Sequence, residues 1–253
     1  MPRQSKPAEP RRGSRRQPEA SRKAILKAAL AEFAQEGLAG ARVDAIAEAA
    51  GVNKALLYYY FHDKEALYAA TLDGFFAPLH QRIMAICDQP GSAGERFLTY
   101  VREHFDAIAE SQHYARIFMS ELMSAGRGGA TQLDRVAMKY MRPTGMMVIG
   151  LLQEGVDTGE FRDLDPVQVV PTAIGAIVHY FLTAPLRERF LRDSGIAMPS
   201  IEERRAAVLD FIAAAVFTHR EAGIRLAARI AASNATHSKP QKQALSRTKG
   251  KRK

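Results

Sequence analysis

The run Gly51-Val52-Asn53-Lys54-Ala55-Leu56-Leu57-Tyr58-Tyr59-Tyr60-Phe61, followed by Lys64-Glu65-Ala66-Leu67, decides how the rest of the chain is read. Just before it, Val43, Ile46, Ala47 and Ala50 recur at helical spacing and stop at Gly51. A glycine there reaches the left-handed conformation that ends a helix and turns the chain. Asn53 then has the side chain to cap a new helix running through Phe61. Two short helices joined at a glycine, behind a longer one, have the proportions of a helix-turn-helix, whose second helix enters the DNA major groove. Leu57, Tyr58 and Phe61 are spaced to anchor that second helix, which leaves Lys54, Ala55, Leu56, Tyr59 and Tyr60 facing outward. A lysine at a helix start and a tyrosine hydroxyl both reach phosphate oxygens, while small or apolar side chains lie against thymine methyls. Tyr58 is read as packing inward and Tyr59 as reaching a phosphate.

Working outward, Ile25, Leu26, Ala29, Leu30, Phe33 and Ala34 mark a first helix from Ser21, with Gly37 as its left-handed C-cap. Asp63 caps a longer helix through Leu67, Phe75, Leu79, Ile83 and Ile86, with Pro78 inside it as a kink. Ser92 with Glu95 and Ser200 with Glu203 each fit a capping box, and Asp165 before Pro166 pairs an N-cap with a first-position proline. Helical patterns also cover about 96–110, 113–125, 131–157, 166–191 and 201–218, and no period-2 strand stands out. The expected fold is all-α with about nine helices.

The chain has 253 residues, of which 47% are hydrophobic and 25% charged, an ordinary globular composition with a net charge of +9. That charge is segregated. Residues 1–23 hold eight basic residues against two acids and residues 239–253 hold seven basic residues and no acid, so the body between them is mildly acidic. Cationic arms on a folded body suit a polyanion, which excludes a uniformly basic architectural protein. Pro2, Pro7, Pro10 and Pro18 among arginines and serines predict a disordered arm over 1–20, with Arg11, Arg12, Arg15 and Arg16 placed to follow DNA beside the helix-turn-helix. The start has no apolar signal region and no apolar run approaches ~18 residues, so the expectation is a cytoplasmic protein with no membrane association.

The quoted run resembles the DNA-binding domain of TetR-family transcriptional regulators. The resemblance extends over roughly residues 23–68, through Ala28 to Phe33, Gly37 and Ile46-Ala47-Glu48-Ala49-Ala50. It implies a helix-turn-helix domain at 21–67, a ligand-binding and dimerisation domain at 68–220, and a helical extension with a basic tail at 221–253. It also implies a regulator, in the commonest case a repressor, that binds a double-stranded operator as a homodimer and leaves it when a small apolar effector binds. Asn53, Lys54, Ala55, Leu56, Tyr59, Tyr60 and Lys64 fall on the family's DNA-contacting stretch. Where many members carry a Thr-Thr pair this chain has Ala41-Arg42, so Arg42 supplies a phosphate contact electrostatically but no threonine cap. Ala55 and Leu56 replace a frequent glycine and threonine and make the reading face more apolar.

For the effector, Met119, Met123, Met138, Met141, Met146 and Met147 cluster near Tyr100, Phe105, Phe118 and Tyr140, and Pro143 is expected to bend the helix that carries four of them. Tyr100, His104, Phe118, Met119, Met123, Met141, Met147 and His179 are the candidate ligand contacts, with Glu121 also pointing inward. The same residues packed as plain core would make an effector-independent DNA-binding protein. A third reading is a helical scaffold that uses its basic tails on an acidic partner or a membrane surface. The stripes over 166–191 and 201–218, with Phe211 and Ile212, are read as halves of a four-helix dimer bundle. Cys87 is read as an inert core cysteine. His104, His113 and His179 lack metal-ligand spacing, no catalytic motif is present, and no cofactor, metal or enzymatic activity is expected.

Overall fold

The computed structural model describes residues 18–125, 131–192 and 194–233. The arm residues up to 17 and the tail from 234 lie outside them. The helices in chain order are α1 (Pro18–Gly40), α2 (Val43–Ala50), α3 (Lys54–Phe61), α4 (Lys64–Met84), α5 (Ala93–Glu110), α6 (Gln112–Ala125) and α7 (Thr131–Val136). A π-helical turn (Ala137–Met141) leads into α8 (Arg142–Asp157), followed by α9 (Pro166–Leu182), α10 (Ala184–Arg192), α11 (Ile201–Val216) and α12 (Arg220–Ala232). The all-α reading holds among the described residues, whose sole extended pairing is the isolated Phe161–Phe217 bridge.

The expected nine helices become twelve for three physical reasons. The 131–157 pattern is interrupted by the π turn. The pattern over 166–191 breaks at Thr183, where α9 and α10 meet at a 58° bend. Finally, α12, in the helical extension that the count of nine left out, buries Leu226 and Ala227 on α11.

The caps form where the sequence placed them. Asn53 accepts a hydrogen bond from the Leu56 N–H at 2.7 Å, and Asp63 from the Ala66 N–H at 2.6 Å. Both capping boxes close, and Asp165 accepts from Val167. Gly51 is left-handed (φ 66°, ψ 36°). Gly37 also has positive φ (67°), but its ψ of 178° is extended, so helical turns resume beyond it to Gly40. Helix α1 starts at Pro18, which shortens the expected arm because a proline in the first turn loses no helical hydrogen bond.

Ile25, Ala29 and Phe33 of α1, Ile46 of α2, Leu57 and Phe61 of α3, and Leu67 of α4 are buried together. Helix α4 then runs unbroken through the 67/68 boundary expected from the sequence and is shared by both halves of the protein. Its Tyr68 packs edge-on against Phe33 with ring centres 4.7 Å apart and donates a 2.6 Å hydrogen bond to Glu121 of α6. Cys87, expected in the core, is exposed: α4 ends at Met84, and in the turn that follows Ile86 points inward and Cys87 outward. Desolvation pushes its thiol up, away from the reactive thiolate.

Candidate functional site

Helix α3 is eight residues long and is held by Leu57 and Phe61, four apart and both buried. The other positions follow from that stripe. Tyr59 is 76% exposed, and Lys54, Ala55 and Asn53 are exposed beside it. Tyr58, expected inward, is instead exposed, because one residue past Leu57 rotates it about 100° off the anchor stripe. Leu56 and Tyr60, expected outward, are half-buried. The Tyr60 hydroxyl donates to the Pro18 carbonyl at 3.0 Å and so ties α3 to the start of α1.

The two lysines around this face are already engaged. Lys54 Nζ lies 2.9 Å from Asp44 Oδ1 in α2, and that carboxylate holds the ammonium above its ordinary pKa through a hydrogen bond and its charge. Lys64 Nζ donates to the Ala39 carbonyl at 3.1 Å. Arg42 caps α2 by backbone alone: its side chain makes no cap bond, and its N–H donates to Glu32 of α1 at 2.9 Å. Glu32 thus ties the start of α2 to α1 through the backbone of Arg42. Sequence reasoning missed Glu32 and Asp44, whose only signal is that Asp44 falls in the first turn of α2.

A second feature lies in the larger half. Helices α4, α5, α8 and α9, with Phe118 of α6, line a half-open cavity of about 280 Å³. Of the expected ligand residues it brings together Tyr100, His104, Phe118 and Met141. It leaves out Met119, Met123, Met147 and His179. Met123 is 61% exposed, and Met138 and Met146 face solvent similarly, because each sits on the outer face of its own helical segment. Met147 packs on the core, and His179 is exposed on the far side of α9. Glu121 is buried, but its carboxylate is held by Tyr68 away from the cavity wall.

The wall supplied by α4, through Phe76, Leu79, His80 and Ile83, was legible only as a generic apolar stripe. Pro143 does not simply kink its helix. The preceding π turn, where the Arg142 N–H reaches the Ala137 carbonyl, widens the backbone at the place where a proline would collide with it, and it turns Tyr140 and Met141 to the cavity. His80 Nδ1 lies 2.9 Å from Thr144 Oγ1 of α8. Asp73 of α4 accepts from Arg135 at 2.7 Å and from the Tyr140 hydroxyl at 2.9 Å. Desolvation works to raise the Asp73 carboxyl, but those bonds and the Arg135 and Lys139 charges outweigh it and hold it below its ordinary value.

His104 differs from the other wall residues. It lies deep in the protein yet keeps accessible surface, as a residue facing a cavity does, and burial pushes its imidazole down to about 4. Its Nδ1 has no hydrogen-bond partner among the described residues. Burial alone raises the Tyr100 hydroxyl, one helical turn away with ring centres 5.9 Å apart. Among the described residues no three His, Cys, Asp or Glu side chains gather as a metal site.

Comparison with known proteins agrees with this geometry. The profile of "Bacterial regulatory proteins, tetR family" matches residues 25–71, the span from α1 into α4. The HTH-type transcriptional repressor KstR2 of Mycolicibacterium smegmatis is 32% identical over 150 residues, covering 59% of this chain and 72% of that protein. The HTH-type transcriptional repressor SCO4008 of Streptomyces coelicolor is 28% identical over 182 residues, covering 72% and 88%. Among solved structures, the ketosteroid transcriptional regulator KstR2 of Mycobacterium tuberculosis superposes with a TM-score of 0.57 at 22% identity, covering 83% of this chain and 92% of that one, a likeness of fold. These relatives regulate transcription and are not enzymes, and with a helix-turn-helix presented as described, the chain belongs to the TetR family of bacterial DNA-binding transcriptional regulators.

Proposed function

We propose that the protein is a homodimeric repressor that holds a pseudo-palindromic operator in the cytoplasm and releases it when a small apolar molecule enters the cavity between α4, α5, α8 and α9. The observation that carries this is the pairing of an outward Tyr59 and Lys54 on a short, buried-anchored helix with a cavity that uses the same supporting helix, α4. Two recognition helices about 34 Å apart fit successive major grooves, so the operator repeats the symmetry of the dimer. The dimer partner covers α9 and α11, where Phe211 is 65% exposed and Val167 58% exposed. Residues 21–67 read the DNA, with Arg42, Asn53, Lys54, Ala55, Tyr59 and Lys64 along the groove; residues 68–220 bind the effector and the partner.

Coupling runs through α4. Its Leu67 end supports α3, while Phe76, Leu79, His80 and Ile83 form the cavity wall, so a molecule that spreads the wall tilts the recognition helix against the groove. The test is operator anisotropy with Lys54→Ala and Tyr59→Ala, each expected to weaken binding by about 1–3 kcal/mol while the fold is retained. Wild-type affinity in both variants refutes the assignment of α3.

A further inference from the structure

The cavity has no Asp, Glu, Lys or Arg on its wall. Its aliphatic and aromatic surface is broken only by His80, His104, Thr144 and the hydroxyls of Tyr100 and Tyr140. Three of these are occupied within the protein: His80 Nδ1 and Thr144 Oγ1 face each other, and the Tyr140 hydroxyl donates to Asp73. His104 is the wall group whose ring makes no hydrogen bond among the described residues: its Nδ1 is sealed from solvent, and the edge that keeps accessible surface faces the cavity, so a partner for the imidazole arrives from that side. We infer that the effector is an uncharged, largely hydrocarbon molecule carrying one hydrogen-bonding oxygen, an alcohol, a ketone or an ester, and that His104 binds that oxygen.

The proposal rests on the reading that this cavity is the effector site. Charge selects against acids and amines, because an ion buried without a counter-charge forfeits its hydration for nothing in return. The depressed imidazole stays neutral at physiological pH and supplies no counter-charge to a carboxylate. A neutral imidazole has one N–H and one acceptor nitrogen, so it receives a hydroxyl hydrogen or donates to a carbonyl oxygen. Size selects as well: about 280 Å³ lies just below the roughly 300–1,000 Å³ of typical ligand pockets, so the part of the effector held inside is small.

The test uses the full-length protein and the neutral fluorophore N-phenyl-1-naphthylamine, read without tryptophan background because the chain has none. Competitors share one chain length: 1-decanol, 2-decanone, decanoate and decylammonium, at pH 7.4. The expected result is displacement by decanol and decanone, with both ions weaker by about 100-fold or more. Leucine at position 145 fills the cavity at little cost to the fold, because a Cβ on Gly145 meets nothing within 4 Å in a helical backbone. Gly145→Leu therefore abolishes dye and alcohol binding. His104→Leu weakens decanol about tenfold without changing the dye, and His104→Gln, which keeps a hydrogen-bonding group, restores it within a fewfold. Decanoate binding as tightly as decanol, with or without dependence on His80, overturns the inference, and so does full decanol affinity in His104→Leu. If no probe binds, or Gly145→Leu leaves binding intact, the cavity is not the effector site and that reading falls with the inference; operator binding by the unliganded protein is untouched by either result.

Discussion

Acidifying the solution from pH 7.5 to 5 destabilises this protein through one identifiable side chain, His104. Its imidazole has an ordinary pKa of 6.5 in the unfolded chain and about 4 in the folded one, because burial opposes the charged form. The unfolded state therefore takes up the proton first, and stability falls as pH drops below about 6.5 and stops falling near 4. The two values imply a loss of about 2 kcal/mol by pH 5 and roughly 3 kcal/mol at the acid limit. Carboxylates such as Asp73 also lose stabilising charge at low pH, so the quantity to read is a difference between two proteins. Urea unfolding of wild type and His104→Leu at fixed protein concentration, at pH 7.5 and pH 5, isolates it: the wild type should lose about 2 kcal/mol more than the variant. Equal losses refute the buried, neutral imidazole and remove the hydrogen-bonding role given to it in the cavity.

The helix-turn-helix was legible almost residue by residue, because local chemistry specifies it: Gly51 needs positive φ, Asn53 and Asp63 cap, and Leu57 with Phe61 marks the buried stripe. The error at Tyr58 came from assigning a large aromatic to the interior by type, when one residue of rotation already takes it off the stripe. Partners distant in sequence left no trace, so the Asp44–Lys54 pair and the Glu32 tether of Arg42 needed three-dimensional structure. The cavity was half legible. Tyr100 and His104, one turn apart, and Phe118 and Met141 were found from composition, but composition does not encode the phase of a helix, and so Met123 and His179 were misplaced onto the wall. The π turn escaped because a proline in a helical pattern signals a disturbance without saying how the backbone absorbs it.

Asp44→Asn should raise affinity for DNA and steepen its salt dependence, since it removes a repelling carboxylate and frees Lys54 for a phosphate; each added phosphate contact contributes about 0.9 to the slope of log affinity against log salt, and an unchanged slope argues that Lys54 stays off the DNA. Phe211→Glu should yield a folded monomer in sedimentation, because Phe211 is 65% exposed in the single chain, whereas a charge at Ile212, only 5% exposed, damages the monomer itself; a dimeric Phe211→Glu protein at micromolar concentration places the interface elsewhere. Asp73→Asn tests how the cavity speaks to the recognition helix. The Asp73 carboxylate on α4 is bound by Arg135 and by the Tyr140 hydroxyl, and the Tyr140 ring lines the cavity, so a ligand pressing on that ring pulls on α4 through a charged link. An amide keeps the shape and loses the charge, so the link slackens while the cavity and α3 stay in place. Saturating effector weakens operator binding by some 5–150-fold in a regulator with ordinary coupling. Asp73→Asn should cut that ratio severalfold while leaving dye affinity and unliganded operator affinity within about threefold of wild type. A ratio equal to wild type assigns the coupling to the packing of Phe76, Leu79 and Ile83 alone.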